Sequence, residues 1–247
     1  MRPSGSNDKP TVFHLTHHKA GSQWVKEVLF DAAPRRLIQP KPYSGHLLDM
    51  PLVQGVIYPA AYMTKTDFDE LVSLNSISNY RAFFVIRDLR DTLISLYFSL
   101  KYSHGISENV AKQRAKLQDM TLKQGLLFLI NGPLKKQYDL QVSWYNSGVK
   151  IVKYEDLILN QEDVFFDMFD YCEIGLTPSK LKRIIRKNSF QSKSGGREPG
   201  DEDLMDHQRK GIAGDWVEYF DDQIKEQFKE RYSEHMVVTG YEINDLW

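Results

Sequence analysis

The run AFFVI, residues 82–86, is continuously apolar and of strand length, the pattern of a strand covered on both faces. It predicts a strand over residues 81–87 that feeds at once into a helix through LISLYFSL. Leu93, Leu96, Tyr97 and Leu100 form one face of that helix, and Asp88 or Asp91 caps or charges its N-terminus. The chain opens on the same plan. TVFHLT, Thr11–Thr16, reads as a buried strand, and residues 25–33 place apolar side chains at helical spacing. Further strands are predicted over residues 54–58 and 149–154, separated by a helical pattern over residues 106–147 that breaks at Asn131, Gly132 and Pro133. Strands alternating with helices imply an α/β fold with a central parallel sheet flanked by helices.

Residues 1–10 are polar and rich in Gly, Ser and Pro, so they read as a flexible leader to one domain over residues 11–247. Thr177 and Pro178 suit the N-cap and first turn of a helix through Ile185, and a short helix over residues 222–231 closes the domain. Between them, residues 190–214 hold five glycines and one proline in a long irregular segment, either functional or disordered. Lys plus Arg total 32 against 33 Asp plus Glu, a net charge of −1 that provides no basic field for nucleic acid. Any anion site is therefore local. The apolar run over residues 126–130 is too short for a transmembrane segment, and the N-terminus lacks the apolar stretch of a secretory signal. One cysteine, Cys172, forms no internal disulfide and reads as a small buried side chain, consistent with a reducing, cytoplasmic setting. The oligomeric state is left open.

Three segments carry chemistry. THHKAGSQW, residues 16–24, joins the first strand to the first helix, where backbone N–H groups and a helix dipole can face a phosphate or sulfate. Lys19 precedes Gly21, whereas a nucleotide triphosphatase loop places its lysine after the glycine, so the loop is P-loop-like without being standard. In FFVIRDLRDTLISLYF, residues 83–98, Arg87 ends a strand where ligands of open α/β sheets gather, and Ser95 lies about two turns into the helix. Arg87, Asp88, Arg90 and Asp91 read equally well as a solvated charge cluster. RKGIAGDW, residues 209–216, sets two cations before a glycine, which suits a phosphate clamp or an ordinary surface turn.

Together with KYEDL at residues 153–157 and NSF at residues 188–190, these segments resemble, in order and spacing, the sulfotransferases that use 3′-phosphoadenosine 5′-phosphosulfate (PAPS) and release 3′-phosphoadenosine 5′-phosphate (PAP). The resemblance is to the cytosolic-type domain, with a bacterial-type member expected, and it covers nearly the whole chain from Thr11 to Phe220. It implies that Lys19 holds the transferring sulfonate and its bridging oxygen, while Ala20, Gly21, Ser22 and Gln23 wrap the 5′-phosphate. Arg87, Ser95, Arg209, Lys210 and Gly211 would grip the 3′-phosphate, and Trp24, Tyr154 and Phe190 would surround the adenine, or else pack in the core. The implied reaction is in-line sulfonate transfer to a hydroxyl or amine of a small-molecule acceptor, with Lys19 and the loop N–H groups stabilising the leaving phosphate and no metal required.

The departures from the family pattern concern the general base and the loop. Members usually carry a KTH segment whose histidine is the base, and the corresponding residues 55–65 contain no histidine. His17 is the first candidate, followed by His18, Tyr58, Tyr62 and a carboxylate such as Asp67. Gln23 replaces the usual threonine. Two other readings stay open: a P-loop nucleotide or small-molecule kinase, which would need ATP and Mg²⁺, and a non-catalytic module that binds 3′-phosphoadenosine nucleotides. Tyr43, Tyr58, Tyr62 and Tyr102 hint at an aromatic acceptor pocket for a phenolic or lipidic alcohol. Residues 190–214 are expected to be mobile, because Lys193, Arg197, Arg209 and Lys210 would repel one another until a 3′-phosphate drew the segment over the site.

Overall fold

The computed structural model describes residues 8–38, 51–103, 105 and 107–247. Most of the expected leader, residues 1–7, and Tyr43 lie outside the described residues. In chain order the elements are β1 (Thr11–Thr16), α1 (Ser22–Ala32), β2 (Ile57–Ala61), α2 (Lys65–Leu74), β3 (Tyr80–Ile86), α3 (Leu89–Phe98), a π-helical turn (Ser99–Ser103), α4 (Glu108–Gln118), α5 (Leu122–Ile130) and α6 (Leu134–Tyr145). There follow β4 (Lys150–Lys153), α7 (Tyr154–Leu159), α8 (Gln161–Tyr171), α9 (Pro178–Lys187), the short α10 (Phe190–Lys193), a 3₁₀ turn (Asp215–Glu218) and α11 (Asp222–Val238).

The four strands form one parallel sheet in the order β2-β1-β3-β4. This is the expected α/β class, and its cause is visible strand by strand: all six residues of β1 and the last five of β3 are buried, as a sheet covered on both faces requires. The register pairs Thr16 with Val85 and Ile86 with Lys153, so β1, β3 and β4 end at one edge of the sheet.

The strand expected over residues 81–87 runs over Tyr80–Ile86, so Arg87 follows it instead of ending it, and three further boundaries differ with a structural cause. The second strand runs over Ile57–Ala61 rather than residues 54–58 and includes Pro59, a residue that argues against a strand when read from sequence. A bulge accommodates it. The β1–β2 register shifts between Phe13 and Leu15, Ala60 adopts φ 56°, and its N–H donates to His14 Nδ1 at 3.2 Å. Tyr154 opens α7 instead of closing β4. Finally, α11 extends to Val238, because Ile224, Phe228, Tyr232, His235 and Met236 make a continuous buried stripe in which His235 faces Gln141.

Two compact units make up the chain. The first, residues up to 86 and 143–189, holds the sheet. On one side Val25, Leu29, Phe83, Val85, Phe165, Met168 and Cys172 pack together, and burial pushes the Cys172 thiol up to about 12, an inert side chain. On the other, Phe13 stacks on Tyr58 and meets Phe68, and Phe84 stacks on Trp144. The second unit, residues 87–142 and 190–247, is helical, with Leu93, Tyr97, Leu129, Leu134, Phe228 and Met236 in its core. Arg90 lies between the rings of Trp216 and Trp247, at 3.9 and 4.4 Å, while its guanidinium bonds Asp88 and Glu242. The charge cluster of residues 87–91 is thus buried: Arg87, Asp88, Arg90 and Asp91 are 8%, 6%, 3% and 1% exposed, which excludes the solvated reading.

Candidate active site

In the first unit β1 runs into a loop of five residues, His17 to Gly21, before α1 begins at Ser22. Lys19 and Gly21 both adopt left-handed backbone, φ 72° and 76°. For a lysine that conformation costs about 1 kcal/mol or more, a strain characteristic of sites where the backbone must take one particular path. The N-terminus of α1 has no capping side chain and no acidic residue in its first turn, whereas α2, α3, α4, α5, α9 and α11 are each capped by a Thr, Ser or Asp side chain. Its first-turn N–H groups and dipole therefore face the loop, the electrostatics of an anion site. A Cβ on Gly21 would come within 2.7 Å of Tyr154 Cε2, and Trp24 meets Tyr154 edge-on at 6.2 Å. Gly21, Trp24 and Tyr154 are brought together. Ala20 is fully buried, Ser22 nearly so, and Gln23 is exposed.

In the second unit Arg87 directly follows β3, and its Nη2 donates to the carbonyl of Ile212 at 3.2 Å. Asp91, one helical turn on, lies 3.7 Å from Arg87 Nη2 and accepts the backbone N–H groups of Gly214 and Trp216 at 2.7 and 3.0 Å. Burial raises the Asp91 pKa, against the lowering effect of Arg87. Asp91 thereby ties residues 212–216 to the start of α3. Nine residues of α3 are buried and Ser95 alone of the ten is half-exposed, so its hydroxyl is the polar group this helix presents. Gly211 adopts φ 66°, and a Cβ there would strike the ring of Phe190, which Arg197 covers at 5.1 Å. Arg209 is paired with Glu202 and Asp215, and Lys210 with Asp215 at 2.6 Å and Glu218 at 2.9 Å.

These pairings correct the expected repulsion among the cations of residues 190–214. Arg197 bonds Asp206, and the carboxylates of Glu202, Asp215 and Glu218 neutralise Arg209 and Lys210. Partial burial opposes the Lys210 charge, but its bonds to Asp215 and Glu218 prevail and raise its pKa. Backbone bonds from Gly200 to Lys210 and from Asp203 to Arg209 fold the segment on itself. The roles of Asp91 and Asp215 in holding residues 209–216 were missed in the sequence; the four-residue interval between Arg87 and Asp91 was the available signal.

A model of the sulfotransferase domain matches residues 9–240. The chain belongs to the sulfotransferase family. Among its relatives are the 3-alpha-hydroxysteroid sulfotransferase of Cavia porcellus, 23% identical over 95% of this chain and 85% of that one, and the flavonol 3-sulfotransferase of Flaveria bidentis, 22% identical over 93% and 82%. The fold is shared with mouse sulfotransferase SULT7A1 complexed with PAP, with a TM-score of 0.68 at 17% identity over 95% of this chain and 87% of that one. Retinol dehydratase in complex with androsterone and inactive cofactor PAP gives 0.62 at 14% identity, over 96% and 81%. This sulfotransferase is an enzyme of sulfonate transfer, and neither the kinase nor the non-catalytic reading is favoured. Among the described residues, no helix is long and apolar enough to cross a membrane.

The base candidates of the sulfotransferase separate sharply. His17 is fully buried, tilted against Phe84, with Nδ1 2.9 Å from the His18 carbonyl, to which it donates. Tyr58 is 1% exposed, its hydroxyl accepting the Val53 N–H at 2.7 Å, and burial raises its pKa. Tyr58 is therefore a core residue. Asp67 closes the capping box of α2 with Thr64. His18, half-exposed beside Lys19, stacks on Tyr62 with ring centres 4.3 Å apart, and Tyr62 donates its hydroxyl proton to Ser22 Oγ at 2.8 Å. Tyr102 stacks on Phe98 in the second unit.

Proposed function

We propose that this sulfotransferase takes its sulfonate from PAPS, releases PAP, and delivers the group to a hydroxyl or amine of a small-molecule acceptor. The observation that carries the reading is the loop of the first unit: a lysine held in left-handed backbone beside a helix N-terminus that no side chain caps. The Gly21 and Gly211 positions, each closed by an aromatic ring, fit a nucleotide approached closely by backbone. Lys19 and the N–H groups of residues 20–23 are assigned to the 5′-phosphosulfate, and Trp24 and Tyr154 to the adenine. Arg87, Ser95, Arg209, Lys210 and Gly211 are assigned to the 3′-phosphate, with Phe190 at the adenine.

When bound, the donor supplies an activated sulfonate on a phosphate leaving group. Lys19 and the first turn of α1 stabilise the charge that gathers on that phosphate as transfer proceeds. His18 removes the acceptor proton; of the five base candidates it combines partial exposure, a titratable ring and a place next to Lys19. The names of the hydroxysteroid and flavonol relatives support a hydroxyl as the acceptor group. The buried, unreactive Cys172 is compatible with a cytoplasmic setting.

Calorimetry with PAP, 5′-AMP and ATP–Mg²⁺ tests the nucleotide, and labelled sulfonate donor with a panel of alcohols, phenols and amines tests the transfer. PAP binding much tighter than AMP is expected. Equal affinity for PAP and AMP, or preference for ATP–Mg²⁺, refutes the donor assignment. For the base, His18→Asn should abolish the acid-side limb of the pH–rate profile, and an unaltered limb removes His18 from the mechanism.

A further inference from the structure

We infer that Tyr62 is a positioning residue for sulfonate transfer, holding the Ser22 hydroxyl in the orientation from which it donates to the leaving phosphate. The inference rests on the donor assignment above and deepens it. Tyr62 immediately follows β2, and its hydroxyl donates to Ser22 Oγ at 2.8 Å. Ser22 is the first residue of α1 and 8% exposed, so this hydroxyl stands at the helix end assigned to the anion. A serine hydroxyl has one proton to donate and two lone pairs to accept with. Tyr62 occupies one lone pair, which leaves the proton for another partner and fixes its direction.

Three features keep the tyrosine in the donor role. His18 stacks flat on its ring, 4.3 Å away at 10°, which fixes the ring plane. Burial raises the phenol pKa, against hydrogen bonds to Ser22 and Gln23, so the proton stays on the tyrosine at neutral pH. Gln23 bonds the same phenol from the neighbouring position on α1. A chain running from the Tyr62 hydroxyl through the Ser22 hydroxyl to a phosphate oxygen polarises co-operatively. Its strength grows with the charge on the last oxygen, so it acts more on the transition state than on bound PAPS.

The test uses Tyr62→Phe, Ser22→Ala and the double variant in the full-length protein, with kcat, KM, PAP affinity and the pH–rate profile measured for each. Phenylalanine keeps the ring against His18. A direct donor to a developing oxyanion is worth about 10²–10³ in kcat, so the indirect loss in Tyr62→Phe should be about tenfold, with the KM for PAPS changed less than about threefold. The double variant should be no slower than Ser22→Ala, and both limbs of the pH profile should persist. Unchanged kcat, multiplicative losses in the double variant, or loss of a pH limb would each overturn the inference, the last by making Tyr62 the base. If Tyr62→Phe melts early, fluorotyrosine at position 62 replaces it: a stronger donor of the same shape must raise kcat and spare the KM for PAPS, and an unchanged kcat is refuting. A wild-type protein that neither binds PAP nor transfers sulfonate would defeat the donor assignment itself, whereas wild-type turnover matched by Tyr62→Phe defeats the relay alone.

Discussion

Gly21→Ala isolates the contact on which the loop between β1 and α1 is built. The backbone there is left-handed, φ 76°, which costs an alanine about 1–2 kcal/mol. The new methyl would also lie 2.7 and 2.8 Å from Tyr154 Cε2 and Cδ2, against a preferred carbon–carbon separation of about 3.5–4.0 Å, so the ring must retreat by about 1 Å. Overpacking of that kind costs about 1–3 kcal/mol. Reduced freedom of the unfolded alanine chain returns about 0.4–1 kcal/mol, leaving a net destabilisation of about 1–5 kcal/mol. Gly195 is the internal control, because it shares φ 76° but has nothing within 4 Å of the position its Cβ would take. Gly195→Ala should cost no more than about 1.5 kcal/mol.

Urea unfolding of the wild type, Gly21→Ala, Tyr154→Ala and the double variant forms a mutant cycle. The packing share, about 1–3 kcal/mol, should vanish in the Tyr154→Ala background while the backbone share persists. Equal costs for Gly21→Ala and Gly195→Ala, or a cycle with no coupling, would refute the argument that Tyr154 closes the loop.

Further outcomes are expected elsewhere. Burial lowers the pKa of His14 to about 3 and of His235 to about 4, so each is neutral when folded and binds a proton more readily when unfolded. Their stabilising contributions are fully present above about pH 6.5 and fall as pH drops toward those values, at about 1.4 kcal/mol per pH unit for each; His14→Gln should roughly halve the slope of urea stability between pH 6 and 4.5. Lys19→Ala should lower kcat by about 10²–10³ and weaken PAP by less than about tenfold, as single-turnover rates and calorimetry would report, and an unchanged rate removes Lys19 from the mechanism. On the proposed assignment Glu218 would compete with a 3′-phosphate for Lys210, so Glu218→Gln should tighten PAP a few-fold and leave 5′-AMP unaffected; a matching change for both nucleotides would contradict the assignment of Lys210.

What the sequence disclosed was whatever local pattern determines. TVFHLT and AFFVI are buried strands because nothing polar interrupts them, apart from a histidine that sits inside the sheet. The loop residues and the half-exposed Ser95 follow from strand–helix connection and helical spacing. The ion pairs of Arg209 and Lys210 were not legible, since whether Glu202, Asp215 and Glu218 turn toward those cations depends on how residues 200–218 fold back on themselves. The last helix was ended at residue 231, short of Val238, for the same reason: His235 is buried against Gln141, almost a hundred positions away along the chain.

The separation of Tyr58 from Tyr62 shows how one backbone irregularity decides chemistry. In a regular strand side chains alternate, so residues four apart face the same way, and both tyrosines would lie on one side of the sheet. The bulge adds a residue to β2 at Ala60, in left-handed backbone anchored on His14, and an odd insertion reverses the parity of everything beyond it. Before the bulge, Tyr58 stacks on Phe13 in the core; after it, Tyr62 reaches Ser22 and His18 at the loop. His14 thus acts at a distance from the proposed chemistry. Its neutral Nδ1 must accept the Ala60 N–H for the bulge to hold, and protonation would turn that acceptor into a donor facing a donor. A His14 variant that cannot accept there, such as His14→Leu, should move Tyr62 as well as the strand, and its kcat should fall to that of Tyr62→Phe without a further loss when the two substitutions are combined. Independent, multiplicative losses would show that the bulge and the tyrosine are unconnected.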